Sequence, residues 1–411
     1  MWLIVLLGAL SAFGPIITDV YLPALPQAAN DLHTTQSGIQ YSLIAGLLGL
    51  AAGQLVVGPI SDSWGRRRPM IAGMAAFAVT SALCAAAVDV YTLDVLRLLQ
   101  GFAGGTGVVI SFAIVRDRTT GRDAARAYSI LSAVGGMAPI VAPIAGAQLL
   151  RVLDWRGLFL VLAGLGVLFT CCAIRWVPET LPAHRRRSGG FGAAATTLRQ
   201  LAADRVFVGY ALTGGFSFAA LFAYISASPF VFQHVYHVSP QLFGIFFAVN
   251  GAGFLVASNI NAKLVGRFDA HVLLAIASVG AVVGALGVLS AVTVGNAGLP
   301  ALVPPLFFMV SCLGFTMPNS TALALDGYAG AAGSASAILG LFKYALGSAI
   351  AVAGVAIAPL VGGGGRPMAV AASAAALLAI IARVILVRQS APMVGCGAKF
   401  CVLATRTEPV L

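Results

Sequence analysis

Runs of about twenty apolar residues, separated by short polar and basic clusters, recur from Trp2 almost to the end of the chain. A helix of that length crosses the roughly 30 Å of bilayer hydrocarbon, so each run predicts a transmembrane helix. Twelve fit. In the first half they are Trp2–Tyr21, Gly38–Ile60, Met70–Val88, Tyr91–Val115, Tyr128–Leu150 and Trp155–Val177; in the second, Val206–Phe232, Pro240–Lys263, Val272–Val294, Leu299–Leu325, Gly333–Leu360 and Met368–Val387. The longest polar stretch, Pro178 to Arg205, carries Arg185–Arg187 and divides the chain near its midpoint. A degenerate repeat supports two halves: Gly65-Arg66 after the second run recurs as Gly266-Arg267 after the eighth, with Lys263 in place of Asp62. The pattern predicts an all-α membrane protein of twelve transmembrane helices in two pseudo-symmetric six-helix bundles, residues 1–177 and 206–388. A linker over 178–205 joins them and a tail over 389–411 follows.

Composition sharpens the class. Of 411 residues, 59% are hydrophobic and 9% charged, where a soluble domain has about 25% charged. The mean hydropathy is +0.96. Too little polar surface exists to cover a water-soluble globule, which excludes a soluble enzyme. The net charge of +11 would suggest nucleic acid in a soluble protein, but in a membrane protein it records basic residues kept in the cytoplasm. With twelve helices, most of the 24 basic residues fall on one side, among them Arg66–Arg68, Arg116, Arg118, Arg175, Arg185–Arg187, Arg205, Lys263, Arg267 and Arg383. Arg151, Arg156 and Arg366 fall on the other, and Arg97 and Lys343 lie within the membrane. Both termini and the linker are therefore expected in the cytoplasm. The apolar start lacks the basic leader of a secretory signal and reads as the first transmembrane helix.

Catalytic and metal chemistry find no foothold. None of the five histidines lies in an apolar run, and His234 with His237 reads as a solvated loop pair rather than a metal site. Cys84, Cys171, Cys172 and Cys312 sit in apolar runs as small hydrophobes, and Cys396 and Cys401 in the tail match no metal spacing. No enzyme, cofactor or metal is expected.

The most specific string is Gly58-Pro59-Ile60-Ser61-Asp62-Ser63-Trp64-Gly65-Arg66-Arg67-Arg68, between the second and third runs. Gly65 permits a tight reversal, Asp62 can accept from backbone N–H groups, and Arg66 can hold a carboxylate across the interface between halves. The string resembles the G-x-x-x-D-x-x-G-R-R/K signature of the major facilitator superfamily, which implies that fold and a conformational latch of Gly58, Asp62, Gly65 and Arg66, with Asp117 as a partner for Arg66. Arg97-Leu98-Leu99-Gln100-Gly101, leading to Arg116-Asp117, resembles the superfamily's second signature. An arginine inside a bilayer costs several kcal/mol unless it faces a wet cavity or a partner. In the fifth run Gly135, Pro139, Pro143 and Gly146 resemble the antiporter signature of exporters, where small residues allow close helix approach and prolines bend the span.

Phe13-Gly14-Pro15-Ile16-Ile17-Thr18-Asp19-Val20-Tyr21-Leu22-Pro23, together with Phe222–Phe230, Phe243–Asn250 and Ala332–Ala337, is similar to the Bcr/CflA type of bicyclomycin and chloramphenicol/florfenicol exporter. That resemblance covers roughly Phe13 to Val387 and implies a drug:proton antiporter of the bacterial cytoplasmic (inner) membrane, acting as a monomer on a small-molecule drug and a proton. Asp19 is expected to carry the proton, with Arg97 as a nearby cation able to lower its affinity, and Tyr21, Asn250 and Lys343 are candidates for the substrate cavity. Export of a phenicol or bicyclomycin-like drug is the leading expectation. A carrier for a metabolite such as an amino acid, small peptide or natural product is the alternative.

Overall fold

The computed structural model describes residues 2–119, 121–182, 186, 201, 203–294, 298–326, 328 and 332–387. Most of the expected linker and the whole of the expected tail, with Cys396 and Cys401, lie outside them. Each of the twelve apolar runs is helical. The second to sixth spans are Gln36–Trp64, Arg67–Ala85, Val90–Arg118, Gly121–Leu149 and Trp155–Trp176. The seventh to twelfth are Arg205–Phe230, Pro240–Leu264, Ala270–Thr293, Gly298–Leu325, Ala332–Val361 and Arg366–Leu386. Ten helices among the described residues are each long and apolar enough to cross a membrane. The fifth span contributes a shorter apolar helix over Val134–Leu149.

The first span differs from the expected single helix over Trp2–Tyr21. It comprises Trp2–Ser11 and Phe13–Asp19, a 3-10 turn at Leu22–Ala24 and a further helix at Leu25–Asp31, with a 49° bend along the way. Proline explains the interruptions, since Pro15, Pro23 and Pro26 have no N–H to offer and two of them open new helical turns. Several spans also run past their apolar cores because a side chain caps the polar end. Thr35, Asp89, Asp154, Asp204, Ser239 and Asp269 each accept from a backbone N–H of the turn that follows. Asp89 is held below the usual aspartate range by the N–H and hydroxyl of Thr92.

Helix contacts repeat between halves with six added to each span number. Spans 2 and 4, 3 and 6, 3 and 4, and 1 and 5 pack in the first bundle; 8 and 10, 9 and 12, 9 and 10, and 7 and 11 pack in the second. The bundles meet along span 5 against span 8 and, as the symmetric counterpart, span 11 against span 2. Arg67 donates to the Ile174 carbonyl, Arg205 to Ile385 and Arg383 to His271, so the basic residues gather at one end of the bundles, called here the basic end. At the opposite end Arg156 donates to the carbonyls of Ala85 and Ala87.

Glycine sets the closest approach. A Cβ at Gly49 would run into the backbone carbonyl of Leu98, and one at Gly101 into that of Gly46, so spans 2 and 4 touch backbone to backbone. Gly49→Val should therefore cost about 1–3 kcal/mol or more through overpacking and lower the melting temperature in detergent. Gly164→Ala, whose added Cβ meets nothing within 4 Å, should melt with the wild type. Equal melting of Gly49→Val and wild type would contradict this packing.

Candidate functional site

At the basic end the Gly65 turn organises a charged cluster. Gly65 has φ +91°, a left-handed conformation open to glycine, and a Cβ there would overlap the Glu179 carboxylate. Arg66 is 2% exposed. Its Nη1 lies 2.7 Å from Asp62 Oδ1 and its Nε 2.9 Å from Asp117 Oδ2, and Nη1 also donates to Ser61 Oγ at 2.7 Å. Asp117 accepts in addition from Thr180 Oγ1, at 3.2 Å. Glu179 accepts from the backbone N–H of Arg66 at 2.9 Å, of Leu181 at 3.0 Å and of Arg67 at 3.3 Å.

The expected Arg66–Asp117 pair forms, yet it does not cross between halves. Both residues belong to the first bundle, so the cluster ties spans 2 and 4 to the chain leaving span 6. Gly58 joins it through its carbonyl, which accepts from Ser61 Oγ at 2.8 Å, and it faces Val109 on span 4. Spacing does not mark Glu179 and Thr180 as partners, because they stand 113 residues from Arg66 and 63 from Asp117 respectively, in a stretch that reads as linker. In the second bundle, two residues before Lys263, Asn261 on span 8 and Asn319 on span 10 donate to one another at 3.1 and 2.7 Å.

Between the bundles lies a cavity of about 250 Å³. Span 1 contributes Gly14, Thr18 and Asp19; span 2, Leu47 and Leu50; and span 5, Gly135, Gly136 and Pro139. The facing wall holds Phe218, Phe222 and Tyr224 of span 7, Phe247, Asn250 and Phe254 of span 8, and Lys343 and Tyr344 of span 11. Asp19 is 3% exposed, and its Oδ1 accepts from Thr18 Oγ1 at 2.9 Å. Among the described residues it is the only acid lining this cavity. Asn250 Nδ2 donates to the Tyr224 hydroxyl at 3.0 Å, while the buried Asn250 Oδ1 has no partner among the described residues. Lys343 Nζ stands 4.6 Å from the ring centre of Phe218 and 5.4 Å from that of Tyr344.

Tyr21 is not a cavity residue. Its fully buried ring packs 4.9 Å from Phe159 and 5.5 Å from the Arg97 guanidinium, because the 3-10 turn after Asp19 rotates it into the first bundle. Arg97 lies in that same interior and is wholly buried, which excludes snorkelling. It donates to Gln100 Oε1 and to the Ser42 carbonyl, and Gln100 passes the chain on to Ser81 Oγ at 2.7 Å. No contact within 4 Å joins Arg97 to Asp19, so the expected pairing is not made. Asp94, one turn before Arg97 and not anticipated, is within electrostatic range of it.

The exporter-like residues of span 5 divide their tasks. Gly135, Gly136 and Pro139 line the cavity. A Cβ at Gly146 would strike the backbone of Val20, and the Pro143 carbonyl sits where a Cβ on Gly244 of span 8 would press. The small residues thus seat span 5 against both the broken first span and the second bundle. Two side chains also bridge the bundles at the end away from the basic residues: Gln233 donates to the Pro23 carbonyl and Gln241 to the Ala147 carbonyl, both at 3.1 Å. Toward the basic end the cavity meets a second one, through Met317 and Lys343, lined by Tyr210, Gly214, Ser320, Thr321 and Ser336.

Comparison with known proteins decides the family. A family model described as Major Facilitator Superfamily matches residues 1–352. The chain belongs to the major facilitator superfamily. It is therefore a multi-pass membrane transporter and not an enzyme. An uncharacterised MFS-type transporter of Bacillus subtilis, YdgK, is 40% identical over 359 residues, covering 87% of each chain. A bicyclomycin resistance protein homologue of Haemophilus influenzae is 29% identical over 380 residues, 92% of this chain and 94% of the relative. Among solved structures, a bacterial homologue of the lysosomal transporter Spinster superposes with a TM-score of 0.70 at 14% identity over 93% of this chain and 94% of that one. The xylose transporter XylE of E. coli gives 0.70 at 14% identity over 96% and 98%. These two show the shared fold.

The cluster at the basic end yields a stability test. Burial alone would raise the Glu179 carboxyl, but the backbone N–H groups of Arg66, Leu181 and Arg67 and the nearby Arg186 outweigh it and hold it below the usual glutamate range. A depressed carboxyl stabilises the fold above its unfolded value of about 4.3, and that contribution is lost as pH falls through the lower folded value. Acidification should thus lower the melting temperature of wild type over that window more than that of Glu179→Gln. Arg66→Ala, which leaves Asp117 without its buried partner, should cost about 3–5 kcal/mol at neutral pH. Melting curves of the purified protein in detergent measure both.

Proposed function

We propose that this transporter exports a small, net-neutral amphipathic molecule, of the kind represented by phenicol or bicyclomycin-like antibiotics, in exchange for a proton carried inward by Asp19. The observation behind this reading is the placement of Asp19: a buried carboxylate, alone of its kind among the described residues in the wall of a largely apolar cavity between two bundles. Such a group binds a proton when it is cut off from water and releases it when hydration or a cation reaches it. The relatives named for resistance to bicyclomycin and to multiple drugs support a drug as substrate.

Alternating access supplies the cycle. The side-chain bridges at Gln233 and Gln241 hold the bundles together at one end, and the cavity leads toward the other through the hydroxyl-lined space beside Tyr210. With the basic end in the cytoplasm of a bacterium, as the positive-inside rule orients it, this is an inward-facing arrangement. The Arg66 cluster then serves as a brace that lets the first bundle rock as one body, and a single chain contains the whole cavity.

The energetics favour net neutrality. One proton moving through about 100 mV contributes ~2.3 kcal/mol and one pH unit adds ~1.4, enough for a gradient of roughly a few hundred-fold of an uncharged substrate. For a monovalent cation the exchange is electroneutral, and only the pH contribution, about tenfold, remains.

Expression in a pump-deficient bacterium should raise tolerance to at least one member of a panel that includes chloramphenicol, florfenicol and bicyclomycin. Asp19→Asn should abolish the gain, and pH-driven transport in vesicles, while the protein still inserts. Undiminished pH-driven transport by Asp19→Asn would falsify the assignment of the proton to that carboxylate.

A further inference from the structure

We propose that the preferred substrate is net-neutral by carrying both charges, a small amphipathic zwitterion whose ammonium end meets Asp19 and whose carboxylate end meets Lys343. This rests on the reading of the cavity as the transport site and names the class of molecule it takes. Asp19 and Lys343 border the same cavity of about 250 Å³, near the lower limit of ligand sites and sized for one small molecule. Among the described residues, Asp19 has no cation within 4 Å, and Lys343 has no carboxylate within 4 Å. Asp326, at the end of span 10, is exposed and does not pair with it.

Each charge has only partial compensation from the protein. Asp19 accepts from Thr18, and Lys343 rests against the faces of Phe218 and Tyr344. An aromatic face stabilises an ammonium but gives its N–H groups no oxygen to bond, so a ligand carboxylate adds what the rings do not. The cavity also holds acceptors. Asn250, on the wall facing Asp19, turns to the same cavity a buried Oδ1 with no partner among the described residues, while its Nδ2 donates to Tyr224. A carboxylate and an amide oxygen together suit a protonated amine, which has three donors to place.

The polarity of the arrangement couples to the bundles. Asp19 belongs to the first bundle and Asn250 and Lys343 to the second, so one dipolar molecule held at both ends bridges halves that otherwise touch through apolar side chains here. An ammonium at Asp19 also competes with a proton for the same oxygens, which gives exchange its mutual exclusion. A singly charged cation satisfies Asp19 but is repelled by Lys343; a monoanion does the reverse.

Thermal stabilisation of the purified full-length protein in detergent, at fixed pH and without a proton gradient, tests this with three probes of one shape. They are 4-(aminomethyl)benzoic acid, its methyl ester as the cation and its N-acetyl derivative as the anion. The zwitterion should bind at least tenfold more tightly than either. Lys343→Gln should collapse its preference over the methyl ester about tenfold, and Lys343→Arg should restore it. Equal stabilisation by the three probes, stabilisation by none, or a preference unchanged in Lys343→Gln overturns the proposal. Because binding is read without a gradient, these outcomes are separate from the loss of pH-driven chloramphenicol transport that would overturn proton exchange.

Discussion

A charge surrounded by hydrocarbon must find a partner or a water-filled space, and that requirement decides where nearly every ionisable group of this chain can stand. Of its 13 acidic residues, Asp89, Asp154, Asp204 and Asp269 cap helices, where backbone N–H groups substitute for water. Asp31 accepts from the indole of Trp155 at 2.8 Å, and Asp62, Asp117 and Glu179 gather round the Gly65 turn. Those assignments secure helix ends and loops. Asp123 and Asp326 are exposed near helix ends and Glu408 lies outside the described residues, so what remains inside the spans is Asp19 facing the cavity, Asp94 and Arg97 in the first bundle, and Lys343 on the opposite wall. The proposed transport chemistry draws on this remainder.

The cavity owes its shape to residues with little or no side chain. Glycines bring spans 2 and 4 into backbone contact, and Gly146 and Gly244 let span 5 sit tightly between the broken first span and span 8. Between the bundles small residues face larger ones, as where Leu255 of span 8 seats on Gly136 of span 5 and Ile140 of span 5 on Gly251 of span 8. The space between spans 1, 5, 7, 8 and 11 is then bounded by large aromatics chiefly on the second-bundle side, with the acid on the first.

Much of this was legible in the chain. Helix positions, the two-bundle division and the segregation of basic residues follow from apolar runs and the placement of arginine, because a bilayer imposes its thickness and its charge preference on any sequence that crosses it. Asp19, Asn250 and Lys343 were recognisable as polar residues in apolar surroundings, and all three face the cavity. Other features depend on geometry that spacing does not encode. Tyr21 turns inward because prolines break the first span just past Asp19, which converts an expected cavity residue into part of the Arg97 surroundings. Arg66 pairs within its own bundle because Asp117 comes to it along span 4, and Glu179 completes the cluster from a stretch with no pattern of its own. The aromatic rings beneath Lys343 belong to runs in which phenylalanine is ordinary, so nothing marked Phe218.

The basic ends of the two bundles are alike in shape and unlike in how they are held. One is clamped by ion pairs around Arg66, the other by the mutual amide bonds of Asn261 and Asn319. Neutral amides exchange their partners for water at little cost, whereas separating buried ions is expensive. The hydroxyl-lined space beside Tyr210 lies in the amide-held bundle. Hydrating that end therefore costs less than opening the ion-paired one, and a near-symmetric body carries unequal ends.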